Sequence, residues 1–122
     1  VAFLLDIPTF EDRRGSLSVL DADLPFPVRR IYYIYGTAPG VTRAGHRHKV
    51  NRQLLVCVAG RCEIRVNDGS GDRSFPLENP HTGLLLDASD WHLIRNLSPD
   101  AVLLVMASEA YDPGDYIDEP YP

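Results

Sequence analysis

The sequence predicts a single all-β domain, a set of short strands closed into a barrel or sandwich. Three observations carry that expectation. Apolar, strand-forming runs recur along the chain and are separated by turn-forming clusters. Ten prolines and nine glycines are spread through 122 residues, too much punctuation for long helices. No long segment carries a sustained 3.6-residue apolar period with helix caps.

The elements run in order. The apolar opening "VAFLLDI" needs a burial partner. After the turn "DRRGS" comes "SLSVL" (16–20), and then "RRIYYIY" (29–35), rich in β-branched and aromatic residues. "TAPG" breaks the chain before "RQLLVCVAG" (52–60). "CEIRVNDGSGDRSFPL" reads as a hairpin: Glu63 and Arg65 alternate with Ile64 and Val66, and Asp68-Gly69 is a turn pair. "TGLLLDA" (82–88), "WHLIRNL" (91–97) and "AVLLVMAS" (101–108) complete the strands, with "ENPHTG" and "LSPDA" as breaks. The tail "EAYDPGDYIDEPYP" is acidic, aromatic and proline-rich, so it is not expected to continue the barrel. Its Tyr111 and Tyr116 point instead to a segment packed over a barrel mouth or a neighbouring subunit.

Bulk properties narrow the function. Apolar content of 44% fits one packed domain with a modest core. A net charge of -5 without a basic run argues against nucleic acid or a membrane surface as partner. Arg13, Arg14, Arg29, Arg30 and Arg43 in the first half leave room for a small anionic ligand. Cys57 and Cys62 flank Gly60 in apolar strand segments and read as buried free thiols. No stretch is long and apolar enough to span a bilayer, and "VAFLLDI" lacks the features of a signal peptide, so the cytoplasm is the expected compartment.

The stretch "GVTRAGHRHKVNRQLLVCVAG" (40–60) holds the chemistry. Strand alternation puts His46 and His48 on one face. Gln53 can reach the same region. Two neighbouring imidazoles with ordinary pKa values of about 6.5 suit general acid–base work near neutral pH. The rival readings are a metal centre and a plain solvated strand face. The spacing of Gly40, His46, His48, Gln53 and Gly60 resembles the first motif of the cupin superfamily, with Gln53 where metal-binding cupins usually carry Glu. His92, followed after three residues by Asn96, resembles the end of the second motif, although Asp87 and Ser89 replace its proline and glycine. A neutral amide at position 53 disfavours a metal.

"RIYYIY", "TRAGHRHK", "RQLLVCVAGRCEIRVNDG", "GLLLDASDWH" and "LLVMASEAYDPGDYI" together resemble the dTDP-4-keto-6-deoxyglucose 3,4-ketoisomerase family. The likeness runs from "DRRGSL" to "GDYI", and departs from the family where Ala44 and Gly45 separate Arg43 from the histidines. It implies a cupin fold (a jelly-roll, double-stranded β-helix barrel), no metal or other cofactor, and a homodimer that exchanges N-terminal strands, here within residues 1–20, with 109–122 as a C-terminal tail. The implied substrate is a dTDP-linked 4-keto-6-deoxy sugar. Its isomerisation needs a base near C3, a donor near C4 and hydrogen bonds to an enediolate. His46 and His48 would serve as base and proton shuttle, and Tyr32 or Tyr33 would polarise an oxygen or relay a proton, only one of the two facing inward. Arg43 is the expected diphosphate contact, with Lys49, Arg14 and Gln53 as further substrate-binding candidates. Trp91 is expected to pack rather than bind. Three alternatives remain: a metal-dependent cupin of dioxygenase type using His46, His48 and His92, a non-catalytic nucleotide-sugar-binding cupin, and a sugar 3,5-epimerase.

Overall fold

A computed structural model describes residues 1–21 and 24–122. The strands are β1 (Phe3–Asp6), β2 (Thr9–Asp12), β3 (Gly15–Ser18), β4 (Arg30–Tyr35), β5 (Arg43–His48), β6 (Gln53–Ala59), β7 (Cys62–Asn67), β8 (Asp72–Leu77), β9 (Thr82–Leu86), β10 (Trp91–Arg95), β11 (Val102–Ala107) and β12 (Tyr116–Ile117). A 3₁₀ turn, Pro113–Asp115, precedes β12. Two antiparallel sheets, β1-β9-β6-β11-β4 and β12-β5-β10-β7-β8, face each other, and β2-β3 forms a separate hairpin. The all-β expectation holds.

The two sheets bury different numbers of faces, and the sequence shows it. Leu55, Cys57, Leu84, Leu86, Leu103 and Val105 from the first sheet meet Ile64, Val66 and Ile94 from the second in the main core. The outer face of the first sheet is covered too: Leu54, Val56, Leu85 and Met106 pack under Ile7 and Phe26. Strands buried on both faces lose alternation, which is why β6 and β9 read as continuous apolar runs. The second sheet leaves its outer face to solvent, so β7 alternates strictly. Gly60 turns the corner between the sheets at a φ of +65°, and a Cβ there would lie 2.8 Å from the Ala101 backbone. Cys57 and Cys62 are free and buried, as expected.

β7 and β8 form the predicted hairpin, with Pro76 tolerated because β8 is an edge strand. The tail departs from expectation. It does continue a sheet, for Tyr116 pairs with His48 and Ile117 with Arg47. Its prolines fall outside the pairing residues: Pro113 starts the 3₁₀ turn that Asp112 caps, and Pro120 lies beyond β12. At the other end, β1 pairs with β9 of its own chain. The β2-β3 hairpin pairs with neither sheet, and its paired Phe10 and Leu17 are exposed.

Candidate active site

The site is built on β5 and depends on an irregularity in it. His46 lies opposite His92, but Ala44 lies opposite Leu93 and Arg43 opposite Ile94, so Gly45 is an extra residue. Ala44 and Gly45 both have positive φ, 67° and 78°. Plain alternation would send Arg43 to the face opposite His46, three positions away. The bulge returns both to the inner face. There Arg43, Ala44 and His46 line a cleft of about 230 Å³ with Arg30, Tyr32, Ile34, Ile94 and Tyr116.

Three imidazoles meet at the base of this cleft. Ring centroids are 4.9 Å apart for His46–His48, 5.1 Å for His46–His92 and 6.3 Å for His48–His92. Tyr116 closes the group, its ring 4.6 Å from His46 and 4.7 Å from His48. Asp115 fixes one imidazole. Its Oδ2 lies 3.0 Å from His48 Nδ1, and its carboxylate also accepts the backbone N–H groups of Val50 and Asn51. A carboxylate held by two N–H donors can only accept, so His48 Nδ1–H donates to it and the lone pair of His48 is on Nε2. That atom is buried and has no hydrogen-bond partner among the described residues.

Burial lowers the pKa of all three rings. For His46 the neighbouring His48 adds to the effect, and for His48 the Asp115 carboxylate opposes it. His92 is lowered to about 3, by burial first and His46 second. At neutral pH the cluster is therefore uncharged, with lone pairs available. Its donor set does not fit a metal ion. The Gln53 amide, a neutral group where a carboxylate ligand would be needed, is turned away to Tyr32. Among the described residues no three His, Cys, Asp or Glu side chains converge to hold one.

Tyr32 faces the cleft from β4, and burial raises its pKa, so it stays a phenol. The Arg30 guanidinium lies 4.6 Å from the centre of its ring. With Arg30 half-buried and Arg43 at the exposed rim, two cations flank a cleft whose floor is neutral.

The family model described as "FdtA: WxcM-like, C-terminal" matches residues 2–121. The chain belongs to the FdtA family. The TDP-4-oxo-6-deoxy-alpha-D-glucose-3,4-oxoisomerase of Aneurinibacillus thermoaerophilus is 38% identical over 108 residues, 87% of this chain and 78% of its own. A 3,4-ketoisomerase from Helicobacter canadensis superimposes with a TM-score of 0.93 at 41% identity, covering 97% of this chain and 90% of that one. A mutant of the 3,4-ketoisomerase QdtA from Thermoanaerobacterium thermosaccharolyticum, in complex with TDP-4-keto-6-deoxyglucose, gives 0.94 at 32% identity over 97% and 87%. The resemblance to 3,4-ketoisomerases and the cupin barrel read from the sequence are thus borne out.

Within this FdtA-family fold the predicted residues separate. His46, Tyr32 and Arg43 line the cleft, and His48 lies behind His46. Tyr33 is corrected: it is on the outer face, 61% exposed and stacked on Tyr35, because neighbours on a strand point opposite ways. Gln53 is buried behind Tyr32 rather than open to a ligand, and Lys49 is exposed outside the cleft lining. Arg14 sits at the tip of the β2-β3 hairpin, paired with Asp12, away from this chain's own cleft. Trp91, expected in the core, is instead half-buried on the outer face of the second sheet, with the Arg65 guanidinium 5.8 Å from its ring centre and its indole N–H donating to the Asp118 carbonyl. Sequence reasoning missed Asp115 and Tyr116 as site residues and named Arg30 only among five arginines open to an anionic ligand. The "YDPGDYI" segment that helped carry the resemblance was the available signal for the first two.

Proposed function

We propose that the chain is a sugar-nucleotide 3,4-ketoisomerase that converts dTDP-4-keto-6-deoxy-D-glucose into a dTDP-3-keto-6-deoxyhexose. The observation that carries this reading is a neutral imidazole, polarised by Asp115, beside a second imidazole in a cleft flanked by two arginines. The C3 hydrogen of the substrate is acidified by the C4 ketone. His48, whose lone pair Asp115 fixes on Nε2, is the stronger base of the pair, and His46 lies between it and the cleft. Together they remove the C3 proton. The C–H electrons form the C3–C4 double bond, and charge collects on O4. The Tyr32 hydroxyl donates to that oxygen. A proton returned to C4, with the O3 proton passed to O4, leaves a ketone at C3 and a hydroxyl at C4. The net change is the C3 hydrogen moved to C4 and the O3 hydrogen moved to O4, with no external oxidant. Arg43 and Arg30 face the diphosphate, whose charge the neutral histidines do not repel.

The same reading places the enzyme in the cytoplasm, in deoxysugar biosynthesis for lipopolysaccharide, glycan or antibiotic. No helix of the described residues is long and apolar enough to cross a membrane. It also makes the protein a homodimer through exchange of β2-β3. The exposed Phe10 and Leu17 of that hairpin, and Ile31, Tyr33 and Tyr35 on the outer face of β4, are apolar surfaces that a second copy would cover. Light scattering on the eluting protein should give twice the chain mass; a monomer at micromolar concentration would remove the exchange.

Incubation with dTDP-4-keto-6-deoxyglucose in deuterated water, followed by NMR, tests the reaction. The ketone carbon signal should move from C4 to C3, with C5 remaining protonated. Deuterium at both C3 and C5 would make the protein an epimerase. Binding without turnover would make it a sugar-binding module, and turnover abolished by a chelator would restore the metal-dependent alternative.

A further inference from the structure

Gln53 and Tyr32 stand on two strands that both pair with β11. Gln53 lies opposite Ala107 on one side, and Tyr32 lies opposite Val105 on the other. The methyl of Ala107 is short, so a long side chain at 53 can pass over it toward the phenol. The amide does so: Gln53 Nε2 donates to the Tyr32 hydroxyl oxygen at 3.0 Å. Gln53 is only 3% exposed, so no solvent competes for this contact.

A phenol has one hydrogen to give. When its oxygen accepts from Gln53, that hydrogen must go elsewhere, and among the described residues no protein acceptor takes it. Tyr32 lines the cleft, so the hydrogen is left for whatever occupies the cleft. A carboxylate at position 53 would do the reverse. Being acceptor-only, it would draw the phenol hydrogen to itself and present lone pairs to the cleft. Those lone pairs would repel a ketone or enediolate oxygen.

We infer that Gln53 is a positioning residue that makes Tyr32 a one-way hydrogen-bond donor to the oxygen on which enediolate charge develops. The inference rests on the ketoisomerase reading and deepens it. It gives the amide at position 53 a purpose of its own, beyond the absence of a metal-binding carboxylate. A donor committed before the reaction begins costs no reorganisation when the charge appears.

Gln53→Glu, Gln53→Met, Tyr32→Phe and the Gln53→Glu, Tyr32→Phe double variant test it. All are assayed with a chelator present, so that a new carboxylate beside the histidines cannot recruit a metal. Gln53→Glu should lower kcat by about 10²-fold, the scale of losing one donor at a developing oxyanion, with KM within about threefold. Gln53→Met frees the hydroxyl to turn either way and should lose about tenfold in kcat. Gln53→Glu should add little to the loss caused by Tyr32→Phe, because the effect passes through that hydroxyl. The second readout needs no substrate. Donation from Gln53 lowers the phenol pKa against the larger effect of burial. Tyrosine ¹³Cζ titration, with the signal assigned by Tyr32→Phe, should show the pKa rising in Gln53→Met and rising further in Gln53→Glu. Wild-type kcat in Gln53→Glu, full additivity with Tyr32→Phe, or an unmoved phenol titration in Gln53→Met would each overturn the inference. A wild-type protein inert toward the keto sugar would fail the functional reading instead, and the titration would still judge the polarity of the contact.

Discussion

Acid should weaken this fold through one side chain that meets no acid group directly. His92 is 3% exposed, and its pKa is lowered from 6.5 to about 3 by burial and by His46. In the unfolded chain it titrates near 6.5. Between these values the unfolded state binds a proton that the folded state refuses, so stability rises with pH across the window and is lost as pH falls through it. Above pH 6.5 neither state is protonated and the cost vanishes. Taking the protein from pH 7 to about 5 should therefore cost about 2 kcal/mol through His92 alone, from 1.36 kcal/mol per pH unit over the part of the window crossed. The comparison that isolates it is His92→Asn, which keeps a donor for the Asp90 carbonyl and does not titrate. Urea unfolding, followed by Trp91 fluorescence, should show wild type losing about 2 kcal/mol more than the variant between the two pH values. At an m-value of roughly 1–3 kcal/mol per molar, the wild-type midpoint falls further by about 1 M. Parallel losses would mean that His92 protonates inside the fold. The uncharged histidine cluster would then have to be abandoned.

Asp115→Asn removes the carboxylate that polarises His48, and should lower kcat by about 10²-fold. Activity is lost as pH falls through the lowered histidine pKa values, and Asp115 opposes that lowering, so the acid limb of the kcat/KM profile should move to lower pH in the variant. Replacing His46 or His48 with Ala should cost at least ~10²-fold in turnover, with the double variant little worse than the poorer single. Arg43→Ala should raise KM more than it lowers kcat, measured on the same sugar nucleotide. Ala44→Gly relieves an L-residue at a φ of 67° and should stabilise the protein by about 0.5–1 kcal/mol in urea titrations.

What could be read from the chain depended on how many faces of each strand are buried. Leu84–Leu86 and Leu103–Met106 announced themselves because the first sheet is covered on both sides, and Cys62–Asn67 because the second is covered on one. Thr9–Asp12 carries no pattern, since three of its four residues face solvent. In the site, His46 and His48 were legible because period-two alternation suffices to pair them. Arg43 was the right residue for a reason the pattern could not supply. Its odd spacing from His46 predicts opposite faces, and only the extra residue at Gly45 brings them together. Asp115 was illegible because its contact with His48 spans 67 positions and arises in a segment whose prolines argued against pairing.

The 3₁₀ turn and β12 carry Asp115 and Tyr116, whereas the arginines and Tyr32 come from β4 and β5. The carboxylate that orients His48 thus comes from a stretch of chain apart from the strands that carry the histidines, Tyr32 and the arginines. On the proposed reading, a nick in the exposed 110–114 stretch that sheds Asp115 and Tyr116 would leave a barrel that keeps its arginines for a sugar nucleotide and lacks the carboxylate that aids its rearrangement. Damage there yields a decoy, one that withholds substrate from intact neighbours. In a crude preparation such decoys would depress the yield of product per ligand bound, while every assay of binding alone still scored them as sound.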